Sequence, residues 1–296
     1  MTRLLGVEVR RLLARRLARV VALLCIVGIA VAGVIVFIRS EPLTGEKKVR
    51  AESQAEQRFA ECMDQLAPQI GEVSAEAECR RASDADDPRF RLTELKEVAL
   101  GSSGLLILLG WVVGASAIGA EWQAGTMTTL LTWEPRRTRL LIAKAIACVL
   151  IVFAASILLQ VLLGGSLLPS ALLRGTTEGA DASWLRSTLA VVLRTAVIAA
   201  LAALLGFCLA SLARHTAAAL GISFALAAVV EPLLTAWRPS WQRWLLNSNM
   251  TVFVTGEPPG LPSLDRSVWD AGLVLAAYGA AALLVALVAF NRRDVT

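Results

Sequence analysis

The sequence has little that could carry out metal or nucleotide chemistry. It has one histidine, His215, and no group of cysteines and histidines has the spacing of a metal site. The phosphate-binding motif G-x-x-x-x-G-K-[ST] is absent. An intramembrane serine protease needs a G-x-S-G motif and a histidine within its helices, whereas His215 lies between two apolar runs. We therefore expect that the chain is not an enzyme and binds neither a metal nor a cofactor of its own.

Charged residues are also scarce, at 18%, while hydrophobic residues make up 56% of the chain. This balance is typical of membrane proteins, in which a helix needs about 20 apolar residues to cross the bilayer. Six runs qualify, and the only charges deep within them are Arg194 and Glu231. The first run is too long for a signal peptide and lacks a small-x-small cleavage site. The sequence predicts an all-α integral membrane protein with six transmembrane helices.

The arginines are distributed unevenly along the chain. They are dense in the first 19 residues, between the second and third runs, and at the C-terminus, whereas residues 39–97 are net acidic. By the positive-inside rule, both termini should be cytoplasmic and residues 39–97 extracellular. The arginines border apolar runs without an aromatic-rich polar face, so we expect a lipid bilayer as partner and no nucleic acid.

The predicted layout comprises ten segments. They are a cytoplasmic amphipathic helix (1–19), TM1 (20–38), a helical extracellular insert (39–97), TM2 (98–120), a cytoplasmic loop (121–144), TM3 (145–168), TM4 (187–213), TM5 (216–237), an extracellular or re-entrant segment (238–267) and TM6 (271–290).

The loop between TM2 and TM3 has the most distinctive sequence. Residues 119–147 read GAEWQAGTMTTLLTWEPRRTRLLIAKAIA, with a carboxylate, a Gly-Thr pair, a Leu-Leu-Thr, a Pro-Arg-Arg and a lysine before the next run. An ordinary basic loop would explain the arginines and the lysine. It would not explain the residues upstream of them.

This pattern resembles the first cytoplasmic loop of ABC-2-type transporter permeases, where it forms a short coupling helix that docks on an ATPase subunit. The resemblance implies that Glu121 and Gln123 make polar contacts to the ATPase and that Gly125 and Thr126 break and restart the helix. The apolar face of the coupling helix would extend from Met127 to Leu131 and include Leu130. The resemblance further implies three basic anchors that reach the membrane interface: Arg136, Arg139 and Lys144.

The same resemblance implies partners and a function. The chain would be the permease subunit of an exporter in the plasma membrane, paired with a second copy or a paralogue and with two cytoplasmic ABC ATPase subunits. ATP and Mg would be bound by the ATPases. A mostly apolar bundle favours an amphipathic or lipid-like cargo, and the family exports drugs, peptides and glycans or lipids. The alternative is an ATP-independent receptor or scaffold that binds partners through its extracellular insert.

Two segments outside the spans have helical patterns. Residues 2–19 predict a basic amphipathic helix, which is either the connecting helix of the family or a simple positive-inside anchor. In the insert, Phe59, Met63, Leu66 and Ile70 recur at helical spacing, and Pro68 should kink or end that helix. The insert ends in DPRFRLTELKEV, which is similar to actinobacterial members of the family, although its length departs from the simplest permeases.

Three further sets of residues have alternative interpretations. An oxidising exterior would favour a disulfide between Cys62 and Cys79 over two free thiols. Arg194 and Glu231 could pair with each other, line a translocation path, or do both. A tryptophan cluster after TM5 predicts either an aromatic belt or a short re-entrant helix: Trp237, Trp241 and Trp244.

Small residues recur every fourth position in TM4, TM5 and TM6. This spacing lets helices approach closely in lipid, within the chain or between subunits. Alanine-rich spans also produce such stripes by chance. The three stripes are Ala202, Gly206 and Ala210; Ala217, Gly221 and Ala225; and Gly272, Ala276 and Ala280.

Overall fold

The structure, a computed structural model, describes residues 2–40, 45–85, 89–133, 136–256 and 266–292. Within these ranges it contains helices and no strand. The α-helices are α1 (Thr2–Ala14), α2 (Arg16–Arg39), α3 (Glu46–Ile70), α4 (Glu72–Ala85), α5 (Leu95–Gln123), α6 (Thr126–Trp133), α7 (Arg137–Leu173), α8 (Ala182–Ala213), α9 (Thr216–Ala225), α10 (Glu231–Trp237), α11 (Leu246–Thr255) and α12 (Val268–Arg292). Short 3-10 helices cover Leu92–Glu94 and Pro239–Trp244, and a π-helix covers Leu226–Val230.

Six helical segments in the described ranges are long and apolar enough to cross a membrane, which confirms the predicted all-α membrane fold. They are α2, α5 with the 3-10 turn before it, α7, α8, the continuous segment from α9 to α10, and α12. Several extend beyond the apolar runs: α7 covers Arg137–Leu173, whereas the apolar run covers 145–168. A helix does not end where its apolar run ends, because its backbone hydrogen bonds continue through polar residues at the interface.

The chain divides into two units, and the larger one comprises Met1–Ile26, Lys96–Val161 and Arg186–Thr296. In this unit α5 and α8 approach each other at glycines. A Cβ on Gly110 would lie 2.5 Å from the Ala199 carbonyl oxygen, and one on Gly114 would overlap the carbonyl of Ala203. Small residues therefore let the two backbones touch.

The three small-residue stripes differ in their surroundings. Ala202, Gly206 and Ala210 of α8 are buried, and a Cβ on Gly206 would lie 2.5 Å from the Trp111 carbonyl oxygen of α5. The α9 stripe, Ala217, Gly221 and Ala225, is exposed, and nothing lies within 4 Å of a Cβ built on Gly221. In α12, Ala276 and Ala280 are exposed as well. The TM4 stripe therefore packs within the chain, and the α9 stripe does not.

The smaller unit comprises Val27–Leu95 and Leu162–Leu185 and contains a helical hairpin. Its helices α3 and α4 are joined by a disulfide between Cys62 and Cys79. Pro68 lies inside α3 and does not end it. The helix ends instead at Gly71, whose φ of 85° lies in the left-handed region that glycine adopts without strain. The insert therefore holds two helices where the sequence pattern indicated one.

Side-chain and backbone hydrogen bonds join the other segments of the smaller unit. The Phe90 amide donates to Ser40 Oγ at 3.2 Å, and Arg174 Nη1 donates to the Phe37 carbonyl at 3.1 Å. The Arg174 guanidinium also lies 4.2 Å from the centre of the Phe37 ring. Asp181 Oδ1 accepts from the Trp184 amide at the start of α8, and this bond lowers the pKa of the Asp181 carboxyl.

We predict that Gly114→Ala destabilises the protein by about 1–3 kcal/mol, because the new methyl group must push α5 away from the α8 backbone. The measurement is the midpoint of thermal unfolding in detergent. Gly101→Ala, on the same helix with nothing within 4 Å of its Cβ, is the control and should be equally or slightly more stable. Equal midpoints for Gly114→Ala and the wild type would mean that α5 and α8 do not touch at Gly114.

Candidate functional site

The loop between α5 and α7 contains a helix break followed by a short helix. Gly125 has a φ of 66°, in the left-handed region, and separates the end of α5 from α6. Its amide donates to the Trp122 carbonyl at 3.2 Å, and Thr126 Oγ1 donates to the Glu121 carbonyl at 3.3 Å. The Gly-Thr pair thus lets the chain turn and begin the eight residues of α6.

Beside this turn lies a buried cluster of charges centred on Lys144 of α7. Lys144 Nζ donates to Glu8 Oε2 of α1 at 2.7 Å and to Glu121 Oε1 of α5 at 3.0 Å. Glu121 Oε2 also lies 3.0 Å from Nζ, without hydrogen-bond geometry. The Lys144 and Glu8 side chains are 4% and 5% exposed. One lysine therefore holds two carboxylates that come from different helices.

Arg15, the residue between α1 and α2, completes this charge cluster. Its Nη2 donates to Glu121 Oε1 at 2.8 Å and to the Ala117 carbonyl at 2.8 Å, and its Nη1 donates to the Ser116 carbonyl at 2.6 Å. Two cations and two carboxylates thus balance each other at a largely buried position, as buried charges require, and the exposed Arg11 lies 3.6 Å from Glu8 Oε1. We call Glu8, Arg15, Glu121 and Lys144 the Lys144 cluster.

Apolar packing places the Lys144 cluster next to α6. Leu12 of α1, Met127 of α6 and Leu140 of α7 belong to one buried hydrophobic cluster, with Val9 and Leu130 packed against it. The apolar face of α1 therefore lies on the same core as the coupling segment, and its single carboxylate, Glu8, reaches Lys144. The helix predicted from residues 2–19 ends at Ala14, because Arg15 leaves the helix to bind α5.

The structure corrects two side-chain orientations predicted for this loop. Glu121 is bound within the chain and 11% exposed, and Lys144 is buried and does not reach the membrane interface. Met127, predicted on the apolar face of the coupling helix, is 1% exposed in the core, Leu130 is half-buried, and the side chain of Leu131 lies outside the described part. Burial of these groups follows from packing among the helices of the larger unit, which the sequence pattern could not show.

A different set of residues forms the exposed face of the loop. Gln123, Thr126 and Arg136 are exposed, while Arg139 is half-buried. We call this set the loop face, and its members are small or polar: Gln123, Ala124, Gly125, Thr126, Thr129, Thr132 and Arg136.

Trp122, the residue after Glu121, connects the loop to the C-terminal ends of two other spans. Its ring lies 6.1 Å from that of Phe290 in α12, in an edge-to-face arrangement. The guanidinium of Arg214, from the turn between α8 and α9, lies 4.7 Å from the same ring. Arg214 has a φ of 55°, and His215 caps α9 by accepting from the Ala218 amide. Adjacent residues 121 and 122 thus contact α7, α12 and the α8–α9 turn.

The predicted pairing of Arg194 with Glu231 is not found among the described residues. Glu231 accepts hydrogen bonds from the backbone amides of Leu246 and Asn247, at 3.0 and 2.8 Å, at the N-terminus of α11. These two amides belong to the first turn of α11, where N–H groups have no acceptor within the helix. Such groups attract negative charge, and they hold the Glu231 carboxylate. The Arg194 guanidinium instead lies at the other end of α11, where it would contact a Cβ on Gly256.

A local change in helix geometry accompanies the position of Glu231. Its amide bonds to the Leu226 carbonyl in the π-helical turn, which leaves the Ala227 carbonyl without its usual partner. Asn247 Nδ2 donates to that carbonyl at 3.0 Å. Pro232, which lacks an N–H group, follows directly. Glu231 and Asn247 together therefore attach α11 to the distorted part of TM5.

α11 packs against the spans of the larger unit. Its Met250 and Val254 share a hydrophobic cluster with Ile198 of α8 and Leu275 of α12. A groove of about 370 Å³ separates α11 from α5, with Ser103 and Gly104 on the α5 wall. On the α11 wall are Asn247, Met250, Thr251, Val254 and Thr255. Residues 257–265 of the predicted re-entrant segment lie outside the described ranges.

Glu8 and Arg15 were missed as site residues by the sequence reasoning. One signal was available: Glu8 is the only carboxylate among the first 40 residues, in a segment rich in arginine. An acid on a basic amphipathic helix indicates a cationic partner elsewhere in the fold. The sequence alone could not identify that partner as Lys144, which is 136 residues away.

A comparison with protein families matches almost the whole chain. The family model described as ABC-2 family transporter protein covers residues 6–295. No curated protein matches the chain.

We predict that Lys144→Met destabilises the protein by about 3 kcal/mol, because it leaves the buried Glu8 with only the exposed Arg11, 3.6 Å away, as a cationic partner. Glu8→Leu combined with Lys144→Met should recover much of this loss, since Glu121 retains Arg15 and the pair is replaced by apolar groups. Unfolding in detergent by denaturant measures the wild type, the two single variants Glu8→Leu and Lys144→Met, and the double variant.

Arg136→Met, which removes an exposed basic residue of the same segment, is the matched control and should change stability by less than about 0.5 kcal/mol. If the double variant is as unstable as the sum of its two single variants, Glu8 and Lys144 are not coupled.

Proposed function

The chain belongs to the ABC-2 family of transporter proteins, and on that premise we propose that it is the permease subunit of an ATP-driven exporter. The family makes it a multi-pass membrane component of an ABC transporter that works with an ABC ATPase. The observation that best supports its role in coupling is the loop between α5 and α7. That loop offers an exposed helix, α6, that is firmly attached to the spans.

The loop face is the proposed docking surface for the ATPase. Its threonines and Gln123 offer hydrogen-bonding groups without bulky side chains, so another protein can approach the backbone of α6 closely. Thr129 lies in the middle of α6 and is exposed. Docking through this face leaves Glu121 and Met127 in their intramolecular contacts, so the interface would form without loss of the Lys144 cluster.

Movement of α6 would reach the spans through three attachments. Met127 packs into the core, Glu121 binds Lys144 and Arg15, and Trp122 contacts Phe290 and Arg214. Closely packed interiors transmit displacement because they deform little. ATP binding by the partner subunits would therefore shift α1, α7 and α12 together and alter access to the transport path. Such a shift requires that nucleotide favours one of two conformations.

The proposed function also includes the orientation of the protein, its cargo and its assembly. The protein would lie in the plasma membrane with both termini and the loop face on the cytoplasmic side, as the distribution of arginines favours.

The groove between α5 and α11 has apolar walls and a row of hydroxyls, which supports an amphipathic or lipid-like cargo. The exposed α9 stripe of Ala217, Gly221 and Ala225 supports close packing against a second permease subunit.

We predict that Thr129→Arg abolishes docking and stimulation of the ATPase while the permease folds normally. The long charged side chain would prevent close approach to α6, and Thr129 is exposed, so the fold should tolerate it. The measurements are recovery of the ATPase when the permease is purified from native membranes, and the ATP hydrolysis of the complex. Hydrolysis by the free ATPase should not change.

The matched control is Gln54→Arg, which places the same side chain at an exposed position of α3. It should leave recovery and stimulation intact. Purification of the wild-type permease without any ATPase would contradict the proposed function and favour the scaffold alternative. Normal docking of Thr129→Arg, in contrast, would show that the ATPase binds elsewhere.

A further inference from the structure

The segment between α10 and α11 groups arginines with tryptophans. It consists of the 3-10 helix Pro239–Trp244 and the residues around it, and Arg266 joins it from the start of the α12 region. We call this group the arginine–tryptophan surface, and its members are Arg238, Arg243, Arg266, Trp237, Trp241 and Trp244.

Each guanidinium of this surface lies over an indole ring. Arg243 and Arg266 lie 5.7 and 5.9 Å from the centre of the same ring, that of Trp244, and Arg238 lies 5.7 Å from that of Trp237. Such contacts orient a guanidinium without neutralising its charge. Arg238 and Arg243 are five residues apart, or roughly 10 Å at the rise of a 3-10 helix. Three positive charges are therefore held within a small area.

These charges lack acidic partners among the described residues. Arg266 donates to the Arg243 carbonyl and, at 2.8 Å, to Asn249 Oδ1, and neither acceptor is charged. Among the described residues, the carboxylates closest in the chain order are Glu231, which is bound by the amides of α11, and Asp270, which is bound by Ser267; Glu257 and Asp265 lie outside the described ranges. Counted over the described residues, the surface therefore has a net positive charge available to an external anion.

The position of the surface determines which anion it would meet. It connects α10, the end of one membrane-spanning segment, to α11 and α12, so it lies at a membrane boundary. Trp237, Trp241 and Trp244 are 74%, 45% and 54% exposed, and exposed indoles favour the headgroup level of a bilayer. The anions abundant at that level are the phosphates of lipid headgroups.

We propose that the arginine–tryptophan surface binds the phosphate of an anionic phospholipid headgroup. Guanidinium groups match phosphate oxygens with paired hydrogen bonds and are weakly hydrated, so they can leave bulk water at low cost. The indole rings hold the guanidiniums in place and pack beside the glycerol backbone of the lipid. A neutral, zwitterionic lipid would gain less, because its own cationic group competes for the phosphate.

The test compares two lipids on the purified, delipidated chain. Dioleoylphosphatidylglycerol and dioleoylphosphatidylcholine are titrated separately, and bound lipid is counted by native mass spectrometry. The wild type should bind the anionic lipid more tightly. Arg238→Gln combined with Arg243→Gln should weaken that binding by roughly fivefold per arginine and leave phosphatidylcholine binding unchanged. Arg266 is kept, since its hydrogen bonds also support the local fold.

Arg58→Gln is the matched control, because Arg58 is an exposed arginine of α3 outside this surface, and it should retain the preference. Thermal unfolding verifies that the double variant is folded. Equal binding of both lipids by the wild type, or an unchanged preference in the folded double variant, would overturn the proposal. Complete displacement of the anionic lipid by soluble glycerol 3-phosphate would overturn it as well, since the occupant would then be a free anion.

Discussion

The arrangement around the loop depends on one lysine that is shared by two carboxylates. Lys144 contacts Glu8 from α1 and Glu121 from α5, in a position that is almost closed to solvent. Separating Glu8 from the lysine leaves a buried carboxylate with only the exposed Arg11 as a cationic partner, which is costlier than losing an exposed ion pair. α1, α5 and α7 are therefore constrained to move as one body near the loop.

This constraint explains how a short loop could act on a large membrane domain. α6 alone has eight residues and would be a marginal helix in water. It is attached through Met127 to the apolar core, while the preceding residues bind the Lys144 cluster and the aromatic contact with α12. Among the side chains of this loop that the structure describes, the loop face is the exposed set. A small, polar surface on a rigid support suits the docking role proposed for it.

Much of this fold could be predicted from the sequence, because the cost of exposing backbone to lipid makes long apolar runs helical. The Gly125–Thr126 break was implied by the resemblance to the ABC-2 loop, and glycine permits the left-handed turn found there. The direction of Met127 could not be predicted, since an apolar residue fits an interface as well as a core. The partner of Glu231 was also missed, because it consists of amides of α11 that carry no sequence signature.

Hydrogen exchange on the amides of α1 in Glu121→Gln tests the central claim most directly. Glu121 does not belong to α1, and its substitution acts there only through Lys144 and Arg15. The account predicts faster exchange along Thr2–Ala14 in the variant than in the wild type, with exchange in α3 unchanged. Unaltered protection of α1 would contradict the claim that the Lys144 cluster joins the N-terminal helix to the loop.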